Sequence, residues 1–391
     1  MSLFDNISRN AGDDAFYSEE SFEFLNRSSW KAAGEARRVL DQWFLRVPKE
    51  HRNDIRGRFQ DDDREHSGAL LELLTHEVLL RTCDDVEFSP QIGTLQPDFS
   101  VRTQSVHSIV ECTVTQESSS QYSKNRMRRQ VLDALDSLEI GPLKVFVSGI
   151  RIGTNLPPLE PMKEAVLREI EGRTSASSRH QFSKSAVPER TIHWHWKDWR
   201  VSLRVIRLDR ERGGGAIGIW NQGMRHGTGT RLIARALERK TRKYKSIGLP
   251  HVVVVAQREG IANDLEVLSS LYGSGHWQVD YDSGAIQRES KPDGLFGTHR
   301  RPRKRSLSAV LFKRRLSSVW NVSNQFSNNS GDSKSTDWAL FHNPFADFKF
   351  PQRVFPFAAE YVWEPDINRR APVVTLNEFL GLPDEWPGEE H

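Results

Sequence analysis

The most restrictive feature of the sequence is a pair of short apolar segments, with an acidic residue placed at or within each. Phe99–Thr103 and Ser108–Thr115 alternate apolar and polar residues around turn residues near Arg102–Ser105, which predicts two antiparallel strands joined by a tight turn. Asp98 stands at the entry to the first strand, and Glu111 lies in the middle of the second. The hairpin is therefore expected to bring both carboxylates to one edge of a sheet.

Two neighbouring carboxylates need a cation when they are partly buried. Like charges held close together repel each other, and burial adds a desolvation cost. A divalent hard metal with oxygen ligands is the usual solution. In the second strand the apolar residues should face the core, and the polar residues that alternate with them share the other face: Glu111, Thr113 and Thr115. That second face could hold a metal ion or simply be solvated.

Helical patterns precede the hairpin, and alternating helices and strands follow it. The helical patterns before the hairpin cover about Ser21–Arg46, Glu50–Phe59 and Arg64–Arg81. The third is apolar on most sides and should be buried. A helix over about Asn125–Leu138 and a strand over Leu143–Ile152 come next, and the apolar strand Pro250–Ala256 should be central. This order predicts an α/β fold: a mixed central sheet flanked by helices, with a helical N-terminal region and extra C-terminal strands.

Pro97-Asp98 followed by Glu111-Cys112-Thr113 resembles the PD-(D/E)xK motif of the restriction-endonuclease-like nuclease superfamily. The core of that superfamily is a helix bearing a Glu, a hairpin bearing the Asp and the Glu-x-Lys, and then a helix and another strand. This chain shows the same order from about Arg64 to Ile152. The resemblance implies a restriction-endonuclease-like core.

The domain organisation expected around this core has three parts. A helical N-terminal region covers residues 1–63, and the nuclease-like α/β domain covers 64–320. Residues 321–391 combine a Ser/Asn-rich low-complexity loop with an aromatic C-terminal extension that packs on the core, in which Trp338–Trp363 is expected to lack regular structure.

The resemblance also implies a metal site. In the superfamily the two acids bind Mg²⁺ (or Mn²⁺), and a bound metal lowers the pKa of its water and stabilises charge on the phosphate. Asp98 and Glu111 are thus the implied metal ligands. Glu72 is the best candidate for the acid on the helix because it interrupts an apolar run, and Glu77 is the alternative.

Thr113 is the main departure from the motif, because it stands where the superfamily has its lysine. Threonine is neither a base nor a cation, so another group substitutes, the metal alone suffices, or the site is inactive. Lys124, ahead of the following helix, could reach back into the site or be a solvated surface residue.

Basic residues are concentrated in three runs, Arg126–Arg129, Arg239–Lys243 and His299–Arg305. If these runs lie on the same side as the acids, they would hold phosphates by charge, and binding would weaken steeply with salt. Taken singly, each run could equally be a solvated face. The residues predicted to contact nucleic acid are Arg126, Arg128, Arg129, Lys240, Arg301 and Arg303.

The composition excludes several other classes of protein. Two cysteines among 391 residues cannot form a disulfide framework or a Cys-rich zinc site. No apolar run reaches the length needed to span a membrane, and the N-terminus lacks a signal-peptide pattern, so we expect a cytoplasmic protein without membrane contact. The net charge of +3 permits nucleic-acid binding without requiring it.

Together these features predict a metal-dependent phosphodiesterase acting on DNA. Family analogy suggests a role in bacterial defence, as a homodimer or as a partner subunit of a defence complex. One alternative, motivated by Thr113, is a catalytically inactive nuclease fold that serves as a DNA-binding or assembly module. Another is a non-nuclease scaffold whose aromatic C-terminus binds a partner protein.

Overall fold

The computed structural model describes most of the chain, and the described residues fall into two compact units. The first unit comprises Met1–Gly12, Glu20–Gln116 and Arg225–His391, and the second comprises Asp13–Glu19 and Glu117–Met224. The described residues are 1–115, 118–141, 143–177, 191–207, 216–219, 228–244, 247–258, 262–323, 337–363 and 366–388. The division predicted at residues 63 and 320 differs from this one, since 20–116 belong to one unit and 117–224 to another.

Four helices open the first unit, as the apolar periodicity predicts. They are α1 (Ser21–Arg27), α2 (Lys31–Phe44), α3 (Arg52–Gln60) and α4 (Asp63–Thr82). Asp62 caps α4 by accepting hydrogen bonds from the backbone N–H groups of Arg64 and Glu65. Such a cap satisfies donors that the first turn leaves unpaired. α4 is buried along most of its length, which confirms the expectation from its sequence.

The predicted hairpin is present and opens the main sheet. β1 (Asp85–Phe88), β2 (Phe99–Thr103) and β3 (Val106–Thr115) form an antiparallel meander, with Phe99 opposite Val110. Gln104 and Ser105 make the turn between β2 and β3, both with positive φ.

The second unit contains the helix and strand that the sequence pattern assigned to the nuclease core. Its elements are α5 (Ser119–Asp136), β4 (Leu143–Arg151), α6 (Leu159–Ser177), β5 (Thr191–Trp196), β6 (Trp199–Arg207) and β7 (Ile217–Ile219). Among the described residues, its strands form a separate four-stranded sheet in the order β5-β6-β4-β7. The expectation that the core continues directly through α5 and β4 is therefore wrong. Local periodicity identified both elements but could not show which sheet they join.

The chain then returns to the first unit and completes its sheet. The elements are α7 (Thr228–Thr241), β8 (His251–Gln257), α8 (Asp264–Tyr272), β9 (Gly275–Val279), β10 (Ile286–Ser290), β11 (Gly297–Thr298), β12 (Arg301–Pro302), β13 (Ala309–Arg315), β14 (Trp338–His342), β15 (Ala359–Trp363), β16 (Ile367–Arg370) and α9 (Leu376–Leu380). Within the described part of this unit, eight strands pair in the order β1-β2-β3-β8-β13-β14-β15-β16. β3, β8 and β13 are parallel to one another, and β8 is buried at every residue, as predicted.

The aromatic C-terminal segment is part of this sheet, contrary to the expectation that it lacks regular structure. Trp338–His342 and Ala359–Trp363 supply β14 and β15. The aromatic residues among prolines do not show the alternation of a strand, and the pairing of β14 with β13 and of β15 with β14 and β16 defines these two short strands. The predicted low-complexity loop falls mainly on residues 324–336, which lie outside the described residues.

The two faces of the main sheet pack against different helices. On one face Val110, Cys112 and Val114 of β3 join a core with α1, α2, α4 and α9. On the other, Val253 and Val255 of β8 pack with α7 and α8. Across that second face the register aligns Glu111, Val253, Val310, Phe341 and Tyr361 in one row. In the parts of the chain that the structure describes, no helix is both long enough and apolar enough to cross a membrane.

Candidate functional site

Asp98 and Glu111 meet at a single lysine, Lys240. The Lys240 ammonium forms an ion pair with Glu111 Oε2 and lies 3.5 Å from Asp98 Oδ2. The backbone N–H of Cys112 donates to Asp98 Oδ2 at 2.6 Å, which fixes the aspartate beside the strand that carries Glu111. Glu111 is only 1% exposed, whereas Asp98 and Lys240 keep 26% and 22% of their side-chain surface. The hairpin therefore brings the two acids together, as its sequence predicts.

Lys240 reaches the acids because it lies on the buried face of α7. Ile233 and Leu237 of this helix are fully buried against the sheet, and Lys240 follows Leu237 by three residues, which places it on the same face. The basic run that contains Lys240 was predicted to contact phosphates from the surface. The helical spacing of Lys240 from Ile233 and Leu237 indicates that this lysine faces the core, and this signal could have identified it as a site residue.

Two further side chains around the acids were missed by sequence reasoning. The hydroxyl of Tyr244, which is fully buried, donates to Glu111 Oε1. Arg239 donates to Thr113 Oγ1 at 3.1 Å. Thr113 therefore serves as a hydrogen-bond acceptor beside the acids, and the cation in this site comes from α7 instead of β3.

Asp98 and Glu111 face a single ammonium directly, and the Arg239 guanidinium lies next to them at Thr113. Burial, and then the charge of Asp98, raise the pKa of Glu111, with Lys240 and Tyr244 opposing that rise. Burial would lower the pKa of Lys240, but Asp98 and Glu111 raise it overall, so the lysine stays protonated at neutral pH. One ammonium thus faces two carboxylates in a largely buried place, which favours a further cation.

The residues present fit a magnesium ion better than a zinc ion. Among the described residues, no group of three or more His, Cys, Asp and Glu side chains is arranged to hold a metal by itself. Mg²⁺ needs only one or two carboxylates, because it keeps several of its waters. Asp98 Oδ1 accepts no hydrogen bond from a described residue, and the aspartate is partly exposed. This leaves one hard oxygen ligand open beside the charge of Glu111.

Glu72, the predicted acid on the helix, lies near the pair but is held by another partner. Arg58 donates to both of its carboxylate oxygens, at 2.8 and 2.7 Å. Burial raises the pKa of Glu72, the hydrogen bonds from Arg58 oppose that rise, and the charge of Asp98 adds to it. Glu77 is also buried and pairs with Arg46 and Arg81, so it takes no part in the cluster.

The remaining predicted residues lie apart from this cluster or in the other unit. Lys124 is exposed on α5 of the second unit, and Arg126, Arg128 and Arg129 follow it on the same helix. Arg301 and Arg303 are exposed in the first unit, at the hairpin formed by β11 and β12. Their nucleic-acid contacts stay predictions.

A buried histidine beside Tyr244 should make folding sensitive to acid. His251 is fully buried, its ring lies 5.0 Å from that of Tyr244, and neither ring nitrogen has a hydrogen-bond partner among the described residues. Burial, and then the charge of Lys240, lower the pKa of His251 to about 3. In the unfolded chain the pKa is about 6.5, so between these values only the unfolded state binds the proton, and the free energy of unfolding falls as pH falls.

We expect His251 to remove about 2 kcal/mol of stability between about pH 7 and pH 5. Urea denaturation at both pH values tests this by comparing the wild type with His251→Leu, which should show a pH dependence smaller by that amount. His276→Gln, at an exposed histidine of the same unit, is the control and should leave the pH dependence as it is. An equal pH dependence in the wild type and His251→Leu would contradict the expectation.

Comparison of the chain with models of known protein families, with curated proteins and with solved structures gives no match. The geometry alone therefore has to indicate what the site does.

Proposed function

We propose that the protein is a metal-dependent nuclease with a restriction-endonuclease-like core, in which Lys240 takes the place of the lysine that the motif lacks at Thr113. The observation that carries this proposal is the position of the Lys240 ammonium against both Asp98 and Glu111. A lysine beside two acids is the arrangement that the resemblance implies, although here the lysine comes from a helix and the acids lie at interior strands of the sheet.

The order of elements in the first unit supports the same proposal. α4 precedes the meander β1-β2-β3, and after the second unit the chain continues through α7 into β8, which is parallel to β3. A helix, a hairpin bearing the acids, a second helix and another strand are the parts of the superfamily core that the resemblance implies. Residues 117–224 are then an insertion between the hairpin and the second helix.

The chemistry follows from the donors and charges at the site. A metal held by Asp98 and Glu111 would supply a water of lowered pKa and stabilise charge on the phosphate. Lys240 has three N–H donors, of which Glu111 takes one. The others can hold a water or a phosphate oxygen beside the acids. Tyr244 keeps the Glu111 carboxylate in one orientation, which lowers the cost of assembling the site.

The direct test is cleavage of DNA by the purified wild-type protein. Supercoiled plasmid and linear duplex should be cut with Mg²⁺ or Mn²⁺ and left intact with EDTA. The same reactions on RNA show which polymer is preferred. No metal-dependent cleavage of either polymer would contradict the proposal of a nuclease.

The inactive module remains the second candidate, and a specific contact favours it. Lys240 and Tyr244 each occupy one oxygen of Glu111, so the chain already satisfies this carboxylate without a metal. Isothermal calorimetry with Mg²⁺ separates the two candidates. The nuclease should bind Mg²⁺ in the wild type and lose this binding in Asp98→Asn, whereas an inactive module should give no binding heat that depends on Asp98.

A further inference from the structure

A second candidate binding site lies in the first unit, away from the acids. A cavity of about 350 Å³ opens beside the end of β15 and the hairpin of β11 and β12. Its lining includes Trp363, Phe345, His299, Arg288 and Lys291. Cavities of this volume lie at the small end of the range for ligand sites, which suits one compact ligand.

Aromatic rings form much of the wall. The His299 ring lies 5.0 Å from Phe345 and 6.2 Å from Trp363, both in edge-to-face arrangements. Trp363 and Phe345 are half-buried, so their rings remain partly accessible from the cavity. Rings held in this way offer stacking faces for a flat ligand, as in proteins that bind unpaired bases.

The charges of the lining select an anionic ligand. Arg288 and Lys291 are the basic side chains of the lining apart from His299, and Glu289 is the one acid among the residues that line the cavity. The Arg288 guanidinium lies over the Trp363 ring, 4.2 Å from its centre, so a cation already covers one face of this ring and a ligand can use only the rest of the aromatic wall. A cationic ligand would therefore be repelled, whereas a flat ring carrying a phosphate matches both the rings and the charges.

The neighbouring hairpin extends this positive charge away from the cavity. His299 lines the cavity, and Arg301 and Arg303 follow it at the hairpin. Both arginines are exposed, and neither forms an ion pair with any residue that the structure describes. Unpaired surface arginines next to a stacking pocket are suited to the phosphates that flank a bound base.

The cavity and the acid pair open on the same face of the main sheet. Glu111 and Tyr361 belong to one row across four strand spacings, and Trp363 lies two residues beyond Tyr361 on β15. Strand spacing and rise place Trp363 roughly 20 Å from Glu111. A ligand at the cavity is thus too far away to react at the acids, but a polymer could reach both.

We propose that this cavity binds an unpaired nucleotide of a nucleic acid, with its base stacked on the aromatic wall and its flanking phosphates on the β11–β12 hairpin. This deepens the proposed nuclease function by assigning a substrate class, nucleic acid with a single-stranded segment. Binding at the cavity does not depend on cleavage, so the two proposals can fail separately.

The test is the binding of a labelled oligothymidylate, measured by fluorescence anisotropy in EDTA so that no cleavage occurs. Trp363→Leu keeps an apolar side chain against the core but removes the stacking ring, and it should weaken binding by roughly tenfold or more. A duplex with the same label should lose much less affinity. An oligouridylate measured in parallel shows whether DNA or RNA is preferred.

Variants of exposed charged residues give a second readout, because these substitutions leave the hydrophobic core unchanged. Log affinity falls as log salt rises, and Lys291→Ala should make this fall less steep by about 0.7, the value expected for the loss of one phosphate contact on a single strand. Lys31→Ala, an exposed lysine on α2, is the matched control and should change neither affinity nor slope. If Trp363→Leu does not fold, Lys291→Ala and Arg301→Ala decide the question by their slopes.

Wild-type affinity and wild-type salt slope in all the folded cavity variants would overturn the assignment. If the wild-type protein cuts nothing but Trp363→Leu still loses oligothymidylate binding, the nuclease proposal falls and the nucleotide site stands. If cleavage occurs and the cavity variants bind normally, the reverse holds.

Discussion

Replacing Glu111 with glutamine is expected to reduce metal-dependent cleavage by about a thousandfold or more, because in the proposed nuclease this charge would hold the metal and orient its water. Asp98→Asn should have an effect of the same size, since Asp98 and Glu111 both lie against Lys240 and belong to the same proposed site. Both changes keep the shape of the side chain. Cleavage of plasmid by equal amounts of folded protein, at saturating Mg²⁺, measures the loss.

The chain offers a matched control for the Glu111 variant. Glu77 is also 1% exposed and ion-paired, but its partners are Arg46 and Arg81 on the helical side of the unit. Glu77→Gln should lower stability through those pairs while leaving cleavage within a few-fold of wild type. If Glu111→Gln and Glu77→Gln have equal activity, the acid pair is not the catalytic site.

The hairpin was predictable because its information is local. Alternation along β2 and β3 fixed which residues face the core, and Glu111 fell on the opposite face from Val110 and Cys112, as the structure shows. The apolar run of β8 similarly indicated a central strand. Such patterns arise because each strand buries one or both of its faces, and the positions of its apolar residues show which faces are buried.

The partners of these elements were not predictable from local patterns. α5 follows the hairpin in the chain, but α7, more than a hundred residues after the hairpin, covers the face that carries Glu111. The pattern of a helix does not indicate which sheet the helix packs on. Here the inserted second unit separates α7 from the strand it covers by more than a hundred residues. β14 and β15 were missed for the same reason, because pairing across the sheet defines them more than alternation does.

The position of Lys240 shows how a cation can lie beside two acids although the motif lacks its lysine. A cation is needed near two acids, but electrostatics does not require that it come from the same strand as Glu111. Lys240, on helix α7, lies within ion-pair distance of Glu111. Arg239 on the same helix donates a hydrogen bond to Thr113, the position at which the motif has its lysine. A missing motif residue is therefore weak evidence for inactivity until the neighbouring helix is known.

Replacing Lys240 with methionine should impair both folding and cleavage. Breaking a fully buried ion pair costs about 3–5 kcal/mol, and because Lys240 keeps about a fifth of its side chain exposed we expect a loss of about 2–3 kcal/mol. Without the lysine the pKa of Glu111 should rise further. A carboxyl whose folded pKa lies above its unfolded value loses stability as pH rises, so the deficit should be larger at neutral than at acidic pH. Urea denaturation in EDTA at several pH values measures both effects.

Two comparisons separate the role of Lys240 in stability from its role in the reaction. Lys313 is a fully buried lysine paired with Asp337 in the same unit, so Lys313→Met should cost similar stability without abolishing cleavage. Lys240→Arg keeps the charge but holds its proton permanently. It should recover much of the stability and much of the cleavage lost in Lys240→Met, because Lys240 itself stays protonated at neutral pH and acts through its charge and its N–H donors. Full activity in Lys240→Met would show that the two acids work without this cation and would remove Lys240 from the proposed site.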